Sequence, residues 1–300
     1  MKLAIVIPYY KIAFLEECLN SLVAQTNKNF HVYIGNDSSP DDPGELINQY
    51  RSSLKLIYTG FSSNLGKTSL VKQWERCIDL VNDEEWILLM GDDDVLGKNC
   101  VRDFYNNLEE VNCRNINVFR YSSQVIDESG IAISSTYYHP VIENSIDFLY
   151  RRLAGLTRSS LSEYIFRKKQ VAKIGFKEFP LAWHTDDLAI LEFSNFQNIF
   201  SVTTSTVFFR NSGHNISSKN DNTIQKNLAN FYFYHYLIKE HSKIFSEHQI
   251  LILWDKMEKA FLDDKKHVGL AIKYSSLSFK NFKFIRFLDF SRRYLQAILK

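Results

Sequence analysis

The sequence predicts an α/β protein: a mostly parallel central sheet flanked by helices, followed by a C-terminal helical extension. Three observations carry this. Over residues 3 to 126, apolar runs of strand length alternate with segments of helical periodicity. The strand-like runs are apolar throughout rather than alternating, as strands covered on both faces require. From Thr223 onward, apolar and aromatic residues recur at helical spacing with no strand-like run between them.

LAIVIP (3–8) reads as the first buried strand, and 14–24 as a helix with Phe14, Leu15, Cys18, Leu19, Leu22 and Val23 at helical spacing. FHVYIGND (30–37) is the second strand, closed by the turn cluster NDSSPDDPG, and 45–50 is a short helix. LKLIYTG (54–60) is the third strand. The next helix, 68–81, puts Leu70, Val71, Trp74, Cys77, Ile78 and Val81 on one side. EWILLM (85–90) is the fourth strand, 101–111 a helix, and INVFRYSSQVI (116–126) a further strand. Between 127 and 220 the pattern is mixed: 145–156 and 186–194 read as helices, 163–167 and 205–210 as extended, and SGHNISSKNDN as a polar loop. In the tail, 231–238 and 250–262 read as helices. The segment 279–300 is amphipathic, with six Lys or Arg and one Asp. A basic aromatic helix of this kind lies on an anionic membrane surface, or packs its Phe residues on the protein and solvates its charges. Both readings stand.

With 300 residues, 45% of them apolar and 23% charged, the chain is long enough for one large domain with an appendage. A formal net charge of +2 excludes a strongly basic nucleic-acid binder, so no nucleic-acid partner is expected. Cys18, Cys77, Cys100 and Cys113 stand singly, without a CxxC pair, and read as buried free thiols of a reducing compartment. The opening MKLAIVIPYYK lacks the cleavage region of a signal peptide, and no apolar stretch reaches the ~20 residues of a membrane span. A cytoplasmic location is expected.

Strands one, two and four end in polar residues: Tyr9 and Tyr10, then Asn36 and Asp37, then Asp92, Asp93 and Asp94. Ligands of open α/β sheets bind beyond the C-terminal ends of the strands, so the three clusters are expected to converge on one crevice. Neither GxxxxGK[ST] nor GxGxxG follows the first strand, and NLGKT (64–68) lacks the upstream Gly of a phosphate loop, which rejects an ATPase. Clustered carboxylates in LLMGDDDVLG (88–97) suit a hard divalent cation shared with a diphosphate. They equally suit the acidic start of a helix. Taken alone, the stretch leaves the two readings level.

The order of these motifs resembles a family 2 glycosyltransferase of the GT-A fold, a Rossmann-like sheet. The resemblance is carried by VIPYY (6–10), SLVAQTNKNFHVYIGNDSSPDD (21–42), NLGKTSLVK (64–72) and LLMGDDDVL (88–96), and it weakens beyond about 110. It implies that Pro8, Tyr9 and Tyr10 border a nucleotide sugar and that Asp37 contacts the base. Asn36 departs from the commoner Asp and receives no role. Asn64 and Gly66 are implied to lie near the nucleotide. Val71 and Lys72 replace the family's Arg-Asn pair, leaving Lys72 as the basic contact. Asp94 is implied to touch Mn²⁺ or Mg²⁺ directly, with Asp92 toward the ribose and Asp93 between them. WHTDDLAILEF (183–193) resembles the segment that supplies the catalytic base. Asp187 matches the base, Asp186 its neighbour, His184 a supporting partner, and Trp183 a surface for stacking a sugar. By its residues alone, the segment is also a helix cap through Thr185 and Asp186. RNSGHNIS (210–217) resembles a late loop that closes on the diphosphate. Ser212 occupies the usual His position, and the offset His214 is carried as a phosphate or metal contact.

The resemblance thus implies an inverting, metal-dependent hexosyltransferase. It moves a sugar from a nucleotide diphosphate donor, a UDP-sugar, to a hydroxyl of a glycan or lipid-linked acceptor in cell-surface polysaccharide or glycan biosynthesis. Residues 1–220 form the catalytic domain (1–115 for the donor, 116–220 for the acceptor). Residues 221–300 form the helical region, whose 279–300 segment offers peripheral attachment at the inner face of the cell membrane. Two rivals remain. A nucleotidyltransferase wants a Gly-rich basic loop after strand one, where PYYKIAF supplies only Lys11. A non-catalytic carbohydrate-binding or scaffold protein does not need three acidic clusters.

Overall fold

The computed structural model describes residues 2–213, 221–263, 267–280 and 283–298. Its first half is built on β1 (Leu3–Tyr9), α1 (Leu15–Val23), β2 (Phe30–Asn36), α2 (Gly44–Tyr50), β3 (Leu56–Gly60), α3 (Leu70–Ile78) and β4 (Trp86–Leu89). β1 pairs in parallel with β2 and with β4, and β3 extends the parallel set beyond β2. Leu3, Ile5 and Ile7 of β1 share an apolar cluster with Leu15, Leu19 and Leu22 of α1 and Ile47 of α2. Ala4 and Val6, on the opposite face of the strand, are buried as well. Burial on both faces is why LAIVIP is apolar without alternation. α3 begins at Leu70, two residues later than its apolar pattern suggests, because the Ser69 side chain accepts a hydrogen bond from Lys72 N at 3.1 Å and caps the helix there.

The chain continues through β5 (Val95–Leu96), α4 (Cys100–Cys113), β6 (Val118–Ile126), β7 (Ile142–Asn144), α5 (Ser145–Leu153), β8 (Tyr164–Arg167), α6 (Lys168–Ile174), α7 (Thr185–Phe193) and β9 (Asn198–Arg210). The strand order is β3-β2-β1-β4-β8-β6-β9-β5, with β7 on β9. β8 runs antiparallel between β4 and β6, whereas β6 and β9 are parallel. β9 starts at 198 rather than 205 and carries an irregularity: Tyr121 faces Val202, but Ser122 faces Thr206. The extra residues are held by Asp103 of α4, which accepts hydrogen bonds from Thr204 Oγ1 (2.7 Å), Ser205 Oγ and Arg102 Nε (2.9 Å). Burial would raise the Asp103 carboxyl, but these donors outweigh it and hold the group below the usual carboxylate range. Asp103→Ala leaves the two hydroxyls without their acceptor and is expected to lower stability by about 2–3 kcal/mol, measured by urea unfolding.

A buried polar network lies behind β6. Arg120 donates to Glu143 (2.7 Å) and Ser201 (2.9 Å), and Arg151 donates to Glu143 (2.9 Å) and His139 Nδ1 (2.9 Å). Burial, then the charges of Arg120, Arg151 and Arg158, push the His139 imidazole down to about 2. A histidine depressed in the fold takes up its proton only on unfolding. Stability is therefore lost as pH falls below the unfolded value of ~6.5. His139→Gln removes this term, and the variant is expected to lose about 2 kcal/mol less than the parent between pH 7.5 and 5, read from unfolding midpoints.

Cys18, Cys77 and Cys100 are buried free thiols as expected, but Cys113 is exposed at the end of α4. Among the described residues, no helix is long and apolar enough to cross a membrane.

The chain divides into two compact units, Met1–Lys177 with Thr185–Ser218, and Glu178–His184 with Lys219–Lys300. The second contains α8 (Thr223–His241), α9 (Glu247–Leu262), α10 (Val268–Lys280) and α11 (Phe284–Ile298). The segment expected as one helix over 279–300 is thus shared between α10 and α11. Glu178–His184 belongs to the helical unit through its aromatic contacts: Phe179 meets Phe233 edge-on, and His184 stacks on Phe233 at 4.4 Å. In the same unit Tyr274 stacks on Phe290 at 3.9 Å and meets Trp254 edge-on.

Candidate active site

The parallel register brings the three polar clusters to one rim. Tyr9 lies opposite Asn36, and Val6 opposite Leu89, so β1, β2 and β4 end side by side. Side-chain bonds tie the rim together. Asp92 Oδ2 accepts from Tyr10 N at 2.8 Å and Lys11 N at 2.9 Å, and Ser39 Oγ donates to Tyr10 O at 2.7 Å. Tyr10 is 40% exposed. Tyr9 is not: its ring lies in the apolar cluster and its hydroxyl donates to Asp41 O at 2.9 Å, which places Tyr9, unlike Tyr10, in the core. Pro8 lies within β1, half-buried.

At the end of β2, buried Asp37 accepts from Leu65 N (2.7 Å), Gly66 N (2.8 Å) and the Arg76 guanidinium. Gly66 has no substitute here, since a Cβ would stand 2.5 Å from Asp37 Oδ2. Asn64 shapes the same loop by accepting from Lys67 N at 2.8 Å. Arg76 also donates to Ser63 O at 2.8 Å and lies 4.0 Å above the Phe61 ring. The basic residue of this corner is therefore Arg76, four residues beyond the NLGKTSLVK stretch. Lys72, one turn earlier on α3, is exposed. The available signal was helical spacing, since positions four apart share a face.

The acidic loop after β4 is fastened at both ends. Asp92 holds the backbone after β1. Asp94, 3% exposed, accepts from Ser162 Oγ through Oδ2 and from Arg210 N at 2.9 Å through Oδ1. Ser162 Oγ in turn accepts from Gly91 N at 3.0 Å. Burial first, and then the neighbouring charge of Asp93, raise Asp92 to about 6 and Asp94 to about 7. Among the described residues no group of three or more His, Cys, Asp or Glu is arranged to hold a metal ion by itself. The residues nevertheless fit a cation shared with a ligand. Their donors are hard carboxylate oxygens, two of the three carboxylates carry raised pKa values that a cation would reverse, and Mg²⁺ ordinarily takes one or two carboxylates and completes its shell with phosphate and water.

Arg210, at the end of β9, is fully buried. Its side chain donates to Asp93 O (2.9 Å), Asp127 O and Glu128 O (both 3.0 Å) and Glu17, and stacks over Phe14 at 4.5 Å. It braces the acidic loop from beneath through the Asp93 carbonyl. The segment resembling a diphosphate-closing loop thus begins with an arginine turned inward. His214 lies outside the described residues.

Asp186 and Asp187 open α7. Asp187 is 2% exposed, and its Oδ1 accepts from Arg152 Nε of α5 at 2.5 Å, whereas Asp186 is half-buried. The Asp187 charge, more than the opposing effect of burial, raises the Arg152 guanidinium, and Asp186 adds to it. Thr185 Oγ1 donates to Lys177 O at 2.8 Å. His184, expected as a supporting partner, packs within the helical unit. Its ring stacks on Phe233 and its Nε2 bonds Asn230 Oδ1 at 2.7 Å, while the Trp183 indole donates to the same oxygen at 3.1 Å. Both side chains belong to the packing of the helical unit.

A mostly parallel sheet whose C-terminal rim carries a clamped carboxylate at β2 and an acidic loop at β4 has the GT-A architecture. More particularly, the chain belongs to glycosyl transferase family 2, whose model matches residues 4–164. The S. aureus TarS fragment 1–349 solved in complex with UDP-GlcNAc shares the fold with a TM-score of 0.68 at 17% identity, over 99% of this chain and 91% of that one. The same fragment with UDP gives 0.59 at 14% identity over the same shares. The glycosyltransferase GlyA of Streptococcus pneumoniae serotype 4 (strain ATCC BAA-334 / TIGR4) is 27% identical over 92 residues. That match covers 29% of this chain and 13% of that relative's length.

Proposed function

We propose that the protein is an inverting glycosyltransferase that moves a hexosyl group from a UDP-sugar to a hydroxyl of a glycan or lipid-linked acceptor. The work would be done at the cytoplasmic face of a membrane, in cell-surface polysaccharide or glycan biosynthesis. The observation that carries this reading is the rim of β1, β2 and β4, where Asp37 with Arg76 and the loop of Asp92, Asp93 and Asp94 stand side by side. Binding of UDP-GlcNAc and UDP by the TarS fragment supports a uridine donor.

In this reading Asp37, Arg76, Asn64 and Gly66 frame the base and Tyr10 covers it. Asp94 and Asp92 would be the residues to hold Mn²⁺ or Mg²⁺, Asp94 being the better oriented because Ser162 and Arg210 N fix both of its oxygens. A cation bound there would supply positive charge to offset the negative charge of the departing diphosphate. The acceptor oxygen attacks the anomeric carbon from the side opposite UDP while Asp187 takes the hydroxyl proton. The carbon–oxygen bond to the diphosphate breaks, its electron pair leaves with UDP, and the configuration inverts. Arg152 orients Asp187 through its hydrogen bond to Oδ1, and Asp186 shares the local field. Incubation of the protein with a panel of UDP-sugars and Mn²⁺, with or without a glycan acceptor, tests the reading. UDP release that requires Mn²⁺ supports it. Release of pyrophosphate instead would indicate a nucleotidyltransferase, and no turnover with tight sugar binding a non-catalytic carbohydrate binder.

A further inference from the structure

α10 is anchored on one side only. Leu270, Ala271, Tyr274, Leu277 and Ser278 are buried, with Tyr274 wedged against Trp254 and Phe290. On the other side Val268 (62% exposed), Ile272 (64%) and Phe279 (48%) stand in the open. At 3.6 residues per turn these three lie within about 40° of one another. A solvent-facing stripe is ordinarily polar, and this one is apolar. Lys273 and Lys280 stand exposed along its edge, Lys283 follows at its end, and neither Asp nor Glu occurs from 268 to 283.

α11 repeats the pattern. Leu288 and Leu295, exposed at 64% and 60%, flank exposed Arg292, while Phe290 points inward. Phe279 of α10 and Phe287 of α11 meet at 4.7 Å, which joins the two helices at their shared corner. Two other cations are held within the fold, Arg286 paired with Asp255 at 2.7 Å and Arg293 with Glu258 at 2.8 Å, while Lys273 lies 5.9 Å from the Tyr232 ring. Lys273, Lys280, Lys283 and Arg292 thus edge an apolar surface.

We propose that the outward faces of α10 and α11 form a docking surface for an anionic lipid bilayer, with Val268, Ile272, Phe279, Leu288 and Leu295 entering the interface and the bordering lysines and Arg292 meeting lipid phosphates. This rests on the reading that the enzyme works at a membrane face and assigns that contact to particular residues, beginning at 268 rather than 279. Charge complementarity selects the bilayer. A plane of negative headgroups matches basic edges around an apolar stripe, and each basic residue near such a surface strengthens attachment in a salt-dependent way.

The test uses the full chain and vesicles of phosphatidylcholine alone or mixed with phosphatidylglycerol. Sedimentation is expected to carry the protein down with the mixed vesicles at low salt and not with the neutral ones. The double variants Val268→Ser/Ile272→Ser and Lys280→Glu/Lys283→Glu are each expected to lower the partition coefficient by about 10-fold or more, with thermal midpoints unchanged because all four side chains are exposed. Absence of binding to anionic vesicles overturns the proposal, as does binding that both double variants retain. Gel filtration showing self-association that the same variants abolish, without vesicle binding, would assign the face to a second copy of the chain and overturn it as well. UDP release in vesicle-free buffer is expected to be the same for the variants and the parent. Its absence with vesicle binding intact would sink the transferase reading and leave the docking surface standing.

Discussion

Asp187→Asn is expected to lose transfer by about 10²–10⁴-fold while binding the UDP-sugar as tightly as the parent. The amide keeps the shape of the carboxylate and can still accept from Arg152 Nε, so the α5–α7 contact persists in a weaker form. What disappears is the ability to take a proton from the acceptor hydroxyl. The loss amounts to roughly 3–5 kcal/mol of transition-state stabilisation, concentrated in kcat because donor binding is made elsewhere, at the β1, β2 and β4 rim. Single-turnover transfer and donor calorimetry on the same preparation separate the two terms. Full transfer by the variant would remove Asp187 from the mechanism and point to its half-buried neighbour Asp186. Because Asp187 is an ion-paired, buried carboxylate, the variant's unfolding midpoint has to be recorded alongside.

Arg76→Ala is expected to act on the other half of the cycle. Asp37 is nearly inaccessible, and its charge is balanced by two backbone amides and one guanidinium. Removing the guanidinium leaves a buried carboxylate short of a partner and releases the Ser63 carbonyl that steadies the 63–66 loop. Hydrogen bonds to charged groups are worth about 1.5–3 kcal/mol, so donor affinity is expected to fall roughly 10- to 150-fold. Saturating donor is expected to recover most of kcat. Arg76→Lys is expected to rescue little, because a single ammonium does not reproduce a fork that reaches Asp37 and Ser63 together while lying over Phe61. A KM left unchanged in Arg76→Ala would detach this corner from the nucleotide.

Much of the rim was legible because short-range pattern and local chemistry coincide there. β1, β2 and β4 are continuous apolar runs ending in polar residues, and their register follows from parallel pairing. What escaped depends on contacts between residues distant in sequence. Arg76 lies 39 positions from Asp37, Arg152 lies 35 from Asp187, and Ser162 lies 68 from Asp94. None carries a local signature. β9 is longer than its apolar portion because Thr203, Thr204 and Ser205 form the irregular stretch that Asp103 stabilises, so hydroxyl-rich sequence concealed strand continuity. β5 has two residues and pairs with β9, below what periodicity resolves. Trp183 and His184 looked like site residues because they precede an acidic pair. In the structure both side chains bond Asn230 of α8, and His184 also stacks on Phe233.

If Asp94 and Asp92 bind a divalent cation together with the diphosphate of a UDP-sugar, donor binding is linked to the cation. Calorimetric titration of UDP-GlcNAc and other UDP-sugars into the protein, with Mn²⁺ and with a chelator, tests it most directly. At least one donor is expected to bind in the presence of Mn²⁺, the chelator to weaken binding at least 10-fold, and Asp94→Asn to weaken binding in Mn²⁺ to the level seen with the chelator. Donor binding of equal strength with and without Mn²⁺, unchanged in Asp94→Asn, would contradict it.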